Sequence, residues 1–157
     1  MWHFKKGISL VEIILIIAVS LILLVIVISG FSSLRNSQVL TSSSEEIISL
    51  INEARSKTLA SERDSKYGIH FESSRVVLFK GDIFVEPSPD NKELNLSNFV
   101  EISSISLNGG VFDLVFERMT GETTQYGTIT ISLKSDVSKT REITIEPSGT
   151  ISVEIHQ

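Results

Sequence analysis

The stretch Lys5-Lys6-Gly7-Ile8-Ser9-Leu10-Val11-Glu12, continued by an almost unbroken apolar run over residues 13–28, decides how this chain folds. It places one carboxylate at the mouth of a long apolar helix. An ionisable side chain at the centre of a bilayer helix costs about 2.5–3.5 kcal/mol, and less near an interface. Glu12 therefore needs a reason to be there, and a charged partner would supply one.

As a helix, residues 13–28 would be about 24 Å long and residues 8–30 about 34 Å, comparable to a hydrocarbon core of about 30 Å. The segment is long enough to span a membrane. Lys5 and Lys6 precede it, and only Arg35 stands in the polar, uncharged flank that follows. The excess of positive charge on the N-terminal side orients that end toward the cytoplasm and the rest of the chain outside. A secretory signal peptide is one reading, but its apolar core is usually about 7–15 residues long and is followed by a small-x-small cleavage site. Here the run is longer, and Ile28-Ser29-Gly30 is a poor match to such a site. A plain single-pass anchor is the other reading; it leaves Glu12 and the Gly7-Ile8 junction unexplained.

The 157 residues allow one globular head beyond this segment. The head is Ser- and Thr-rich with scattered Ile, Val and Leu. The chain has no cysteine, which excludes disulfides, thiolate-bound zinc, iron-sulfur clusters and thiol catalysis. The net charge is −5, and loss of Lys5 and Lys6 with a short leader takes it to −7, so nothing draws the chain as a whole to nucleic acid.

Residues 31–44 are polar, and a helix there could continue, bend or break, with Gly30 and the run 41–44 as weak points. Ser43 with Glu46 three residues on is a capping-box pattern that signals a fresh helix start. Ile47, Leu50, Ile51 and Ala54 then recur at i, i+3, i+4 and i+7, which predicts an amphipathic helix ending near 61–64 whose apolar stripe packs on a sheet. After Tyr67 the period becomes alternating. Strands are expected over 67–71 and 75–79 around Glu72-Ser73-Ser74, over 83–85 after the turn Lys80-Gly81-Asp82, and over 111–117, 128–133, 142–146 and 150–155. Asn108-Gly109-Gly110, Thr120-Gly121-Glu122 and Pro147-Ser148-Gly149 are the turns between them. The fold class is α+β, an N-terminal helix laid on an antiparallel, strand-rich head.

No catalytic constellation emerges. His3, His70 and His156 have no ligand spacing, and Asp64, Asp82, Asp90, Asp113 and Asp136 form no calcium loop, so no metal and no cofactor is expected. Neither a phosphate-binding loop nor a nucleophile motif is present. The stretch from Glu86 to Glu93 reads as a polar surface loop, or as a variable contact surface.

The array Lys5-Lys6-Gly7-Ile8-Ser9-Leu10-Val11-Glu12 before an apolar helix resembles the signal of type IV prepilins and type II secretion pseudopilins. That resemblance implies a pilin-like fold. It implies cleavage by a prepilin peptidase between Gly7 and Ile8, methylation of the new N-terminus at Ile8, and an assembly role for Glu12, which would meet the N-terminal amine of a neighbouring subunit. Ile8 stands where the family more often has Phe. Ile8 and Glu12 share a helical face at i and i+4, about 6 Å apart along the axis, and pairing their charges lowers the cost of burying either. Lys5 and Lys6 would orient the leader.

Shorter matches narrow the resemblance. Ile51-Asn52-Glu53-Ala54-Arg55-Ser56, Tyr67-Gly68-Ile69, residues 116–121, and Arg141-Glu142-Ile143-Thr144-Ile145 before Ser148-Gly149-Thr150 resemble the GspH/FimT-like minor pilins and pseudopilins. Some members of that group bind DNA through a basic C-terminal region, which Val153-Glu154-Ile155-His156-Gln157 lacks, so no nucleic acid is expected. The resulting division is a leader over 1–7, a transmembrane and assembly helix over 8–30, an amphipathic helix over 31–64 and a β-rich head over 65–157. The implied protein is a non-enzymatic filament subunit of the inner membrane, later part of a periplasmic or cell-surface filament. Its partners would be the peptidase, other pilin or pseudopilin subunits, the inner-membrane assembly platform and the membrane itself. The alternative is a single-pass, membrane-tethered β-rich binding protein that joins no filament.

Overall fold

The computed structural model describes the backbone of residues 9–156, and the side chains of all of these except 27–34 and 156. It divides into two units, residues 1–36 and 37–157. One helix, α1 (Leu10–Leu59), accounts for all the described secondary structure of the first unit and opens the second.

The helix does not restart at Ser43. Ser43 is buried, and the hydroxyls around it are satisfied within the helix: Thr41 Oγ1 donates to the Ser37 carbonyl at 2.8 Å and Ser44 Oγ to the Thr41 carbonyl at 2.7 Å. Hydroxyls bonded back to carbonyls three or four residues earlier leave the helix no reason to stop. The capping-box spacing is therefore coincidental here. The true end comes after Leu59, where Ser61 takes a left-handed φ of 48° and a single 3-10 turn follows over Glu62–Asp64.

Eight strands follow, all pairing antiparallel: β1 (Tyr67–Phe71), β2 (Arg75–Lys80), β3 (Lys92–Asn95), β4 (Val100–Leu107), β5 (Asp113–Val115), β6 (Gly127–Leu133), β7 (Asp136–Ile145) and β8 (Ile151–His156). They form two four-stranded sheets, in the orders β3-β2-β1-β5 and β4-β6-β7-β8. Thr58 joins the helix end to the first strand: its hydroxyl donates to the Ala54 carbonyl at 2.9 Å and accepts the Tyr67 N–H at 2.9 Å.

The expected stripe of α1 is the helical side of the core. Ile47, Ile51 and Ala54 are fully buried and Leu50 nearly so, and with Leu40 they form one cluster with Ile69, Phe71, Val76 and Leu78 of the first sheet and Ile129, Ile131, Ile143 and Ile145 of the second. Each such side chain contributes about 1.5–3 kcal/mol by leaving water. The fold is thus α+β, as the change of period from helical to alternating predicts.

The strand reading needs correction at several points. Residues 83–85 form no strand; Ile83 and Val85 are exposed, while Phe84 stacks on His70 at 4.1 Å between ring centroids and meets Phe79 edge-on at 5.7 Å, covering the outer face of the first sheet. The sheet position beside β2 belongs instead to β3, inside and just beyond the stretch read as a polar loop. Strand β4 was not foreseen, and the strand expected over 111–117 is only β5.

Candidate functional site

Of the residues singled out at the N-terminus, Lys5, Lys6, Gly7 and Ile8 lie outside the described residues, as does the cleavage junction. Glu12 lies within them. The N–H groups of Glu12 and Ile13 donate to the Ser9 carbonyl at 3.0 and 3.3 Å, which makes Ser9 the cap and Glu12 the third helical residue. A carboxylate there sits among the unpaired N–H groups of the first turn, at the positive end of the helix dipole. Ser9 and Glu12 also have the spacing of a capping box.

From Ile13 to Ile26 the helix presents only apolar or small side chains. Every residue from 10 to 26 is exposed, the large apolar ones by 47–73%. Among the described residues no helix is long and apolar enough to cross a membrane; the described side chains of the apolar run stop at Ile26. A helix that is apolar on all sides is a helix to be covered, by lipid or by protein.

In the head, three scattered segments converge on Arg55. Its Nε donates to the Gly121 carbonyl and its guanidinium to the Ser148 carbonyl, each at 3.1 Å, so one side chain of α1 holds two turns. Gly149, at φ 76°, lies so close that a Cβ there would stand 2.0 Å from the Gly121 oxygen. These turns and this part of α1 are the short matches around residues 51–56, 116–121 and 148–150; in space they are one joint. It is a structural site.

A second constellation surrounds His70. Its Nδ1 lies 2.5 Å from Asp113 Oδ1, its Nε2 lies 3.6 Å from Glu72 Oε1, and Phe84 covers its face. Arg75 ties the same region together, reaching Glu72 and Glu86 at 2.7 Å and Glu93 at 3.4 Å. Hydrogen bonds from Arg75 hold the carboxyls of Glu72 and Glu86 below their ordinary range, and those bonds in turn raise the guanidinium, Glu86 contributing most. The ring of His70 is held between two carboxylates rather than against a serine hydroxyl, so the arrangement activates no nucleophile. Among the described residues no group of three His, Asp or Glu is disposed to hold a metal ion. Next to this cluster is a cleft of about 440 Å³ lined by His70, Phe71, Glu72, residues 102–105 and Phe112.

No protein-family model matches the chain, and no curated protein matches it in sequence. In three dimensions it is similar to the crystal structure of the type IV minor pilin FimU of Pseudomonas aeruginosa, with a TM-score of 0.55 at 17% sequence identity, over 73% of this chain and 92% of that one. The likeness shows that the chain has the pilin fold, a helix packed on antiparallel sheets.

Proposed function

We propose that this chain is a minor pilin or pseudopilin subunit of a type IV pilus or type II secretion-like filament. The observation that carries the reading is an apolar helical segment, exposed on every side over residues 10–26, with Glu12 as its lone charge in the first turn, on a chain whose head has the pilin fold. In this reading a prepilin peptidase cuts between Gly7 and Ile8, Ile8 is methylated, and Lys5 and Lys6 keep the leader on the cytoplasmic side. The subunit waits in the inner membrane with its head outside until the assembly platform adds it to the filament beside other subunits. Glu12 then pairs with the amine of a neighbouring Ile8. Both charges are tolerable in apolar surroundings only together, since removing one partner of a buried pair costs about 3–5 kcal/mol.

The reading makes Glu12 an assembly residue and not a processing residue. Glu12→Ala is expected to insert and to be cleaved normally but to be lost from sheared filaments at least tenfold. Normal incorporation of that variant would count against the pairing. The reading as a whole rests on processing, so the decisive experiment is intact-mass spectrometry of the chain from cells with and without the peptidase. A mature N-terminus at Ile8, dependent on the peptidase, is expected. Met1 retained in both would overturn the proposal and favour a membrane-tethered binding protein.

A further inference from the structure

The cleft beside His70 lies between the edges of two sheets. Strand β4 ends the second sheet, and its consecutive residues 102–105 line the cleft. Strand β4 pairs on one side only, with β6, so its other side is a backbone edge, and the Ile102 N–H pointing to the Ser73 carbonyl turns that edge toward the cleft. Facing it are the end of β1, with His70 to Ser73, and Phe112, which leads into β5, the edge of the first sheet. One end is closed where the Ile102 N–H donates to the Ser73 carbonyl at 2.9 Å. Beyond it Ser104 and Ser106 are exposed, and Ile105 and Phe112 offer apolar surface.

The rim is negative. Glu72 and Asp113 flank His70, and Glu86 and Glu93 stand behind them on Arg75, so four carboxylates share one guanidinium and one imidazole. Edge strands are usually blunted by charge, by proline or by a cover. Here β4 carries a charge only at Glu101, before the cleft; from Ile102 on it has serines and apolar residues, and its bulge at Ser103 leaves the stretch beyond regular.

We propose that this cleft binds an extended, basic polypeptide segment of another protein, which adds as a strand along the β4 edge with its apolar side chains on Ile105 and Phe112 and its lysines or arginines toward Glu72 and Asp113. Main-chain hydrogen bonds to an edge give such a strand affinity, and alternate side-chain sites give it specificity. The negative rim selects basic over acidic strands through charge complementarity. The inference does not depend on filament assembly.

The test uses the full chain, isotopically labelled in detergent micelles, titrated with an end-blocked heptapeptide that alternates lysine and valine. Saturable binding is expected, with shifts and slowed amide exchange confined to residues 102–107 and 112–113. A peptide of the same composition in block order, and one with glutamate for lysine, are expected to bind at least tenfold more weakly. Ser104→Lys, an exposed substitution that leaves the core untouched, is expected to weaken the alternating peptide about tenfold. No saturable binding at millimolar peptide, equal binding of the glutamate peptide, unchanged affinity in Ser104→Lys, or shifts mapping to another surface would each overturn the proposal.

Discussion

The carbonyls of Gly121 and Ser148 are 66 and 93 residues away from Arg55 in sequence, and both accept from its guanidinium. A hydrogen bond to a charged group is worth about 1.5–3 kcal/mol net, and deleting the donor leaves both acceptors to find other partners. Arg55→Ala is therefore expected to lower stability by about 2 kcal/mol in denaturant titration. Arg55→Lys should restore less than half of that, because an ammonium cannot fork to two carbonyls in fixed directions. Gly149 is the stricter position: a side chain there meets backbone oxygen at 2.0 Å, and φ is 76°. Crowding of that kind and a left-handed conformation without glycine each cost about 1–3 kcal/mol, so Gly149→Ala is expected to lose about 3 kcal/mol or more. A loss below 1 kcal/mol in both Arg55→Ala and Gly149→Ala would show that the joint is not what fixes these turns. None of this is visible along the sequence, since each partner is a single residue in its own segment. The proposal for Glu12, by contrast, rests on a local pattern, one charge at a fixed distance from Gly7 in an apolar run.

At the scale of elements, legibility follows the regularity of the period. The stripe Ile47, Leu50, Ile51 and Ala54 and the alternations of β6 and β8 are unbroken, and the structure has them as read. Strand β4 escaped because the bulge between Ile102 and Ser104 shifts its parity: Val100 and Ile102 are apolar on even positions, Ile105 and Leu107 on odd ones. Strand β3 escaped because Leu94 is its one apolar residue. The apolar trio at 83–85 misled in the opposite sense, since apolar residues that cover a sheet look like a strand within one. The same pairing of β2 with β3 brings Arg75 to Glu93 and, with Glu72 and Glu86, defines a pH dependence. Glu72 and Glu86 are held below their ordinary 4.5 by Arg75. A carboxyl with a lowered folded pKa contributes stability that is complete above 4.5 and is lost as pH falls through the folded value. Thermal stability is expected to stay level above pH 4.5 and to decline below it, and Arg75→Gln should remove a part of that decline measured against the parent chain. The carboxylates are partly exposed, so the effect is modest and should shrink in high salt. An identical pH slope in Arg75→Gln at low salt would refute the assignment.

At the scale of the molecule, burial divides the chain near Ser37. Every member of the core lies at Leu40 or beyond, while residues 10–26 bury nothing. The helix over 37–59 is as much a part of the head as any strand, since Ile47, Ile51 and Ala54 are fully buried and Thr41 Oγ1 accepts from Arg141 at 2.8 Å. A fragment of residues 37–157 should therefore fold alone, stay in solution without detergent and unfold in one cooperative step, within the about 5–15 kcal/mol usual for single domains. Starting the fragment at residue 48 removes Leu40 and Ile47 together with the buried hydroxyls of Ser43 and Ser44. Deleting a buried Leu or Ile side chain costs about 2–5 kcal/mol, so the shorter fragment should be marginal or unfolded. The chain beginning at Ile8 carries the exposed apolar helix and should need detergent or lipid at any useful concentration. Circular dichroism and sedimentation of the three forms decide the matter. If 48–157 proves as stable as 37–157, the first turns of the buried helix stripe contribute nothing to the head, and the line between apolar segment and globular unit lies further along α1 than the burial pattern places it.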